Sequence, residues 1–348
     1  MSFYINYEQK VRISLSERAR LILAEDMESF GFSRGSSFIN HVFKNFRDEA
    51  KASLSMYLKE RRVEIERSLL DVSLEDDDRT IVINSLLLDE KTRLINEIEK
   101  LKDQKGESKI YHINDDNYDY LTEECDEDDF YFGPGIYMKA VIEEYAKLPY
   151  IRREKIVRKD VFEKVERACK EHTLLKVKTS VSGQDKLFYV YPYKIVPDSL
   201  HTMYYLVCYS RAPEESDSEK IVVSFNMARI NPTCMKKSFF LNKKEVSNIE
   251  SQLTMYSAMY LVGKPERIEI KLSDKGKKLY QSKLFSRPEK INDLSDNEKY
   301  VFECTPRQIF NYFFSFGSEV EVLSPQSLRV EFASKYSKAL EHYGDCDV

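Results

Sequence analysis

The stretch KLFYVYPYKIVPDSLHTMYYLVCYSRAPEESDSEKIVVSFNMARI, residues 186–230, decides how this chain is read. Three runs dense in β-branched and aromatic residues, 187–196, 203–209 and 220–227, are separated by two turn-rich gaps, the pattern of strands joined by short connections. Side chains alternate along a strand, so Tyr205, Val207 and Tyr209 share one face of the second run, with Tyr204, Leu206 and Cys208 on the other. Strands apolar on both faces suit a small closed barrel better than an open sheet with one wet side. Tyrosines and a few basic residues near the rim make such a barrel a binding surface, with no catalytic machinery in view.

At 348 residues the chain is long enough for two or three domains. Its 42% hydrophobic and 32% charged content is that of an ordinary water-exposed protein. No apolar run approaches the roughly 20 residues a spanning helix needs, and MSFYINYEQK lacks a signal-peptide core, so the expectation is a cytoplasmic protein with no membrane partner. Six cysteines form no CxxC pair and no metal spacing, and read as reduced thiols. The net charge of −5 hides an asymmetry: residues 106–131 hold ten acids and one lysine, whereas 132–348 hold 35 Lys+Arg against 29 Asp+Glu. Nucleic-acid binding would therefore have to come from local basic patches.

Near the N-terminus KVRISL alternates, with Val11, Ile13 and Leu15 facing one way and Lys10, Arg12 and Ser14 the other. Ser16 is a helix N-cap, followed by Ala19, Ile22, Leu23, Met27 and Phe30 at helical spacing, and Gly31 ends that helix. A second helix starts near Ser36, with Phe38, Ile39, Val42, Phe43 and Phe46 inward. One strand and two helices over 10–46 resemble a ribbon-helix-helix domain. A lone strand leaves its backbone groups without partners, which predicts that two chains pair their strands in a homodimer. The resemblance implies that Lys10, Arg12 and Ser14 enter a DNA major groove while Ser33, Arg34 and Ser36, at the second helix's N-terminus, hold a phosphate. Residues 51–105 read as a helical spacer and 106–131 as an exposed acidic linker. DEDD at 126–129 is a solvated charge run, because consecutive carboxylates cannot converge on one ion.

The strands after residue 186 resemble the WYL-domain family. The triplet for which it is named stands here as Tyr204, Tyr205 and Leu206, preceded by YVYPYKIV and followed by SFNMARI with its Arg229-Ile230 pair. RIEIKL through FFSFGSEVEVLSPQSLRVEF is similar to the extension that commonly follows that domain. The resemblance implies an Sm-like or SH3-like β-barrel that binds single-stranded nucleic acid or a nucleotide. The order of domains is similar to that of the WYL accessory proteins of type VI-D CRISPR systems, which modulate an RNA-guided RNA nuclease. Asn226 departs from the pattern, occupying a place where the family usually carries arginine.

The expected architecture is thus a multidomain α+β chain: ribbon-helix-helix over 1–50, helical spacer over 51–105, acidic linker over 106–131, helical lead-in and WYL barrel over 132–262, and a C-terminal α+β domain over 263–348. The barrel ligand residues are Tyr205 and Arg229, with Tyr204, Tyr193, Asn226, Lys176, Lys178 and Lys194 beside them: aromatic rings stack on bases, and cations track phosphates. No HExxH, GxSxG or phosphate-loop spacing occurs, so no enzymatic activity, metal or cofactor is expected. Two functions fit. In one, the barrel binds single-stranded RNA, or DNA, and the protein assists a type VI-D CRISPR effector. In the other, the ribbon reads operator DNA and the barrel senses a ligand.

Overall fold

The computed structural model describes residues 9–103, 106–124, 133–181 and 184–343. The chain divides into two compact units, Met1–Lys159 and Asp160–Val348.

The first unit begins with β1 (Lys10–Leu15), α1 (Glu17–Phe30) and α2 (Gly35–Phe46). The local signals act as the sequence predicts. Ser16 Oγ accepts the Ala19 N–H at 3.1 Å, and Gly31, at φ 76°, ends α1 in the left-handed region that glycine adopts freely. Helices α3 (Leu54–Ser68) and α4 (Asp76–Asp103) form the spacer hairpin. Then come β2 (Glu107–His112), α5 (Asp115–Asp119), α6 (Pro134–Lys147) and α7 (Tyr150–Val157). Val11, Ile13 and Leu15 of β1 enter one core with Leu23, Phe38, Phe43, Val141 and Tyr145. Inside it Asp26, 1% exposed, accepts from Tyr145 Oη at 2.6 Å and from Arg153 Nε at 2.7 Å and Nη2 at 3.2 Å. That network gives a buried carboxylate its counter-charge and three donors.

β2 overturns two expectations. It pairs antiparallel with β1, from Lys10 opposite His112 to Leu15 opposite Glu107. The backbone groups that were to recruit a second chain's strand are therefore satisfied from within the same chain. The stretch 106–131 is likewise no plain linker, since its first part is this strand and α5, although residues 125–132, with the DEDD run, lie outside the described ones. Asn40 fixes the corner: its Nδ2 donates to the carbonyls of Ser36 and His112, both at 2.7 Å, and its Oδ1 accepts the Asn114 N–H at 3.1 Å.

The boundary falls after the first residue of α8 (Lys159–Glu171); the second unit takes the rest of that helix and continues through β3 (Thr173–Val181), β4 (Gln184–Pro197), β5 (Tyr204–Arg211), β6 (Ile221–Asn226) and β7 (Asn231–Ser238). These form one antiparallel sheet in the order β6-β5-β4-β3-β7. Its two faces carry separate cores. Leu206 and Cys208 pack with Val165 of α8, while Val207 and Tyr209 pack with residues of the chain beyond β7. The closed barrel expected from the sequence is corrected: among the described residues β6 and β7 do not pair, so the sheet keeps two edges. It must nevertheless curl. In a flat sheet four inter-strand gaps would hold β6 and β7 about 19 Å apart, whereas the chain from Asn226 to Asn231 spans at most about 17 Å even when extended. The turn Met227–Arg229 within it is helical, which shortens the reach further.

After β7 come α9 (Lys243–Tyr256), β8 (Glu266–Leu272), α10 (Asp274–Ser282), β9 (Lys299–Cys304), α11 (Pro306–Phe313), β10 (Val320–Ser324) and α12 (Gln326–Glu341), with a three-stranded sheet ordered β10-β8-β9. The aromatics of FNYFFSF serve their own core: Tyr312, Phe313 and Phe316 are buried, and Phe314 stacks on Tyr336 with ring centroids 4.7 Å apart. Among the described residues no helix is long and apolar enough to cross a membrane.

Candidate functional site

Strand register decides which of the expected binding residues meet. Tyr205 lies opposite Asn226, at the end of β6, and Lys178 lies opposite Asn231, at the start of β7. The turn joining these two positions carries Arg229, which is exposed. The turn thus strings Asn226 (opposite Tyr205), Arg229 and Asn231 (opposite Lys178) along one connected line, although Tyr205 and Lys178 themselves face β4 positions nine residues apart, Val196 and Leu187. Lys176 continues the line one step along β3, opposite Thr233 of β7. Leu175 and Val177 turn inward beside the two exposed lysines, as alternation requires.

Asn226 has a local task that explains its presence. Its Oδ1 accepts the Ala228 N–H at 2.8 Å and caps the turn that holds Arg229 outward. Arginine has no acceptor and could not make that bond. Tyr205 is half-buried on the face of Val207 and Tyr209, and Tyr204 packs on the opposite face edge-on to Phe162, at 5.1 Å between centroids.

Tyr193 and Lys194 are drawn elsewhere. A bulge at Pro192–Lys194 breaks the β4 register, and the two consecutive side chains reach the same carboxylate on α9. Tyr193 Oη donates to Glu250 Oε1 at 2.6 Å and Lys194 Nζ donates to it at 2.7 Å. Both bonds, Lys194's first, hold the Glu250 carboxyl below the ordinary range, while the bond to Glu250 pushes the Tyr193 phenol up. These two residues anchor α9 to the sheet.

In the first unit Arg12 is exposed on the outward face of the ribbon, beside Ile110 of β2, with Lys10 opposite His112 and Ser14 opposite Ser108. Ser14 Oγ donates to the Gly106 carbonyl at 3.0 Å. Ser33 and Arg34 are exposed ahead of α2, whereas Ser36 Oγ accepts the His112 N–H at 3.2 Å and is engaged by β2.

A charge balance taken over half the chain conceals the basic character of β7 and of the segment after it. Residues 229–244 contain five cations, Arg229, Lys236, Lys237, Lys243 and Lys244, and no acid. All five are exposed, as are Lys176 and Lys178 on the neighbouring strand, and among the described residues none of the seven forms an ion pair. Some cations of the unit pair with carboxylates, Lys194 with Glu250, Lys220 with Glu245 and Arg211 with Asp217, and others, such as Lys271 and Arg307, form no ion pair among the described residues. What marks this patch is the density of cations with no acid among them. The patch is visible in the sequence only when charge is counted over a window as short as the 16 residues from Arg229 to Lys244.

No protein-family model matches the chain, and no curated protein matches it. A solved structure described as the crystal structure of a CRISPR Cas-related protein superposes with a TM-score of 0.71 at 22% identity, over 96% of this chain and 94% of that one. At that identity the likeness establishes a shared fold over nearly the full length. A second structure, proteasome accessory factor B/C (PafBC) of Arthrobacter aurescens, gives 0.29 at 15% identity over 61% of this chain and 32% of that one, too low to carry an argument.

Proposed function

We propose that this chain is a non-enzymatic accessory protein of a CRISPR system, binding single-stranded RNA along the rim of its curled sheet and modulating an RNA-guided, RNA-targeting effector. The observation that carries the reading is the line of exposed cations without ion pairs along β3, β7 and the Met227–Arg229 turn, with Tyr205 opposite Asn226 where that turn begins. Such a line matches a phosphate backbone, and an adjacent ring offers a stacking face. The five-stranded curled sheet supports its reading as a WYL domain of Sm-like type. The full-length likeness to a CRISPR Cas-related protein supports the cellular setting.

A second reading rests on the ribbon. Arg12, Ile110 and His112 are exposed on a two-stranded surface that one chain completes by itself, and such a surface fits the major groove of duplex DNA in a transcriptional regulator. Anisotropy titrations with labelled single-stranded RNA, single-stranded DNA and duplex DNA, each over a salt series, separate the two. Tightest binding to single-stranded RNA, weakened by Arg229→Ala and not by Arg12→Ala, is expected. Tightest binding to duplex DNA with the reverse sensitivity would replace the first reading by the second.

A further inference from the structure

Phe240 is 80% exposed, the highest exposure of any large apolar side chain among the described residues. Its surroundings hold it rigidly. Phe239, next to it, faces inward: its N–H donates to the His172 carbonyl at 3.0 Å and its ring meets Tyr191 edge-on at 5.5 Å. Two residues further on, Asn242 caps α9, accepting the N–H groups of Lys244 at 2.9 Å and Glu245 at 3.0 Å, while Glu245 Oε2 accepts the Asn242 N–H at 2.8 Å. The backbone around Phe240 is therefore pinned on both sides, and the ring stands in water because it is held there. A ring held outward on a fixed mount offers an apolar face on which a flat ligand can stack, and the charges around it say which ligand.

The chemistry around the ring narrows the ligand. Lys236 and Lys237 precede it and Lys243 and Lys244 come after it, all exposed and free of ion pairs among the described residues. The carboxylate that Lys237 influences is that of Asp217, which is held low chiefly by the Tyr191 hydroxyl. We propose that Phe240 is a base-stacking platform at the end of β7, and that a single-stranded nucleic acid lies along this edge with its phosphates on the four lysines and one base on the ring. This deepens the proposed function and rests on it. A duplex hides its base faces, so the ring selects for single strands. An anionic membrane is a poorer match, because one ring on a strand edge lacks the broad apolar face by which amphipathic helices insert.

The test uses the full chain in a Cys125→Ser/Cys346→Ser background, with a fluorescent 12-nucleotide oligouridylate, its deoxy counterpart, an RNA duplex, and phosphatidylserine vesicles. Phe240→Ala is expected to weaken binding of the single strands about five- to 150-fold, the range for loss of one base–aromatic stack. Phe240→Trp should restore it. Bound strand should also protect Cys234, which is exposed on β7, from a thiol reagent, and the RNA and DNA arms show which sugar the site takes. Single-strand binding by Phe240→Ala within twofold of wild type overturns this inference while leaving the broader function standing. Failure of the wild-type chain to bind any single strand overturns both, and protection of Cys234 by vesicles but by no oligonucleotide replaces the ligand by a membrane surface.

Discussion

Replacing Lys236 and Lys237 by glutamine removes two exposed charges from an edge strand without touching a core residue, so the fold should persist and the electrostatics alone should change. If Lys236, Lys237, Lys243 and Lys244 each neutralise one phosphate, they add about four released counterions to those of the other cations, a share of about −2.8 in the slope of the logarithm of affinity against the logarithm of salt for a single strand. That share alone weakens the wild-type complex about 50-fold as salt rises from about 50 to about 200 mM. The double variant, with two of these four contacts gone, should show a slope shallower by about 1.4 and a salt loss smaller by about sevenfold over the same range. Anisotropy with labelled oligouridylate across a salt series reads both slopes directly. An unchanged slope in the double variant would mean that these lysines serve only to keep other strands from pairing with the β7 edge, the task exposed strand lysines often perform.

Three further outcomes test the structure around the site. Asp26→Ala strands the buried Arg153 guanidinium without its carboxylate and should cost about 3–5 kcal/mol in urea unfolding, while Asp26→Ala combined with Arg153→Met recovers much of it; a loss under about 1 kcal/mol would show that the network is not a stabilising element. Thiol labelling at pH 8 should modify Cys234 well before the other described cysteines, because burial pushes Cys169 and Cys304 up to about 12 and Cys208 well above its ordinary value; mass spectrometry after brief labelling checks the order. The Glu250 carboxyl is held below its ordinary value by Lys194 and Tyr193, so its contribution is complete above about pH 4.3 and is lost as pH falls through the lower folded value. Wild type should accordingly outlast Glu250→Gln in thermal unfolding at pH 7, and the difference should vanish toward pH 3.

Most of the fold was legible where local rules and burial agree. KVRISL with Ser16 and Gly31 gave a strand, a cap and a stop, and the alternation of Tyr204 to Tyr209 correctly separated two faces. Two strands were not legible, for related reasons. ESKIYH has only two apolar side chains in six and is exposed along most of its length, so nothing in its composition marks β2 except a partner far away in sequence. NPTCMKKS breaks its pattern with proline and lysines, as edge strands do. The site suffered accordingly. With β7 unseen, the cations on it had no strand to align them, and nothing in the sequence set Phe240 apart from Phe239 beside it. Tyr193 and Lys194 were named for a ligand because a one-residue bulge cannot be read from alternation, and that bulge turns both toward Glu250.

The pairing of β1 with β2 bears on how the molecule comes to be folded. The partners are 92 to 102 residues apart, from Leu15 with Glu107 to Lys10 with His112, so the ribbon is a contact of long loop closure in a unit otherwise built from helices. During synthesis β1, α1 and α2 emerge long before β2, and for that interval β1 offers an open hydrogen-bonding edge with Val11, Ile13 and Leu15 uncovered. Rates fall as contacts become less local, so closure of this ribbon should be the slow step of the first unit. A fragment ending before residue 107 would keep the edge open permanently, and its fate would be association with other chains through that edge.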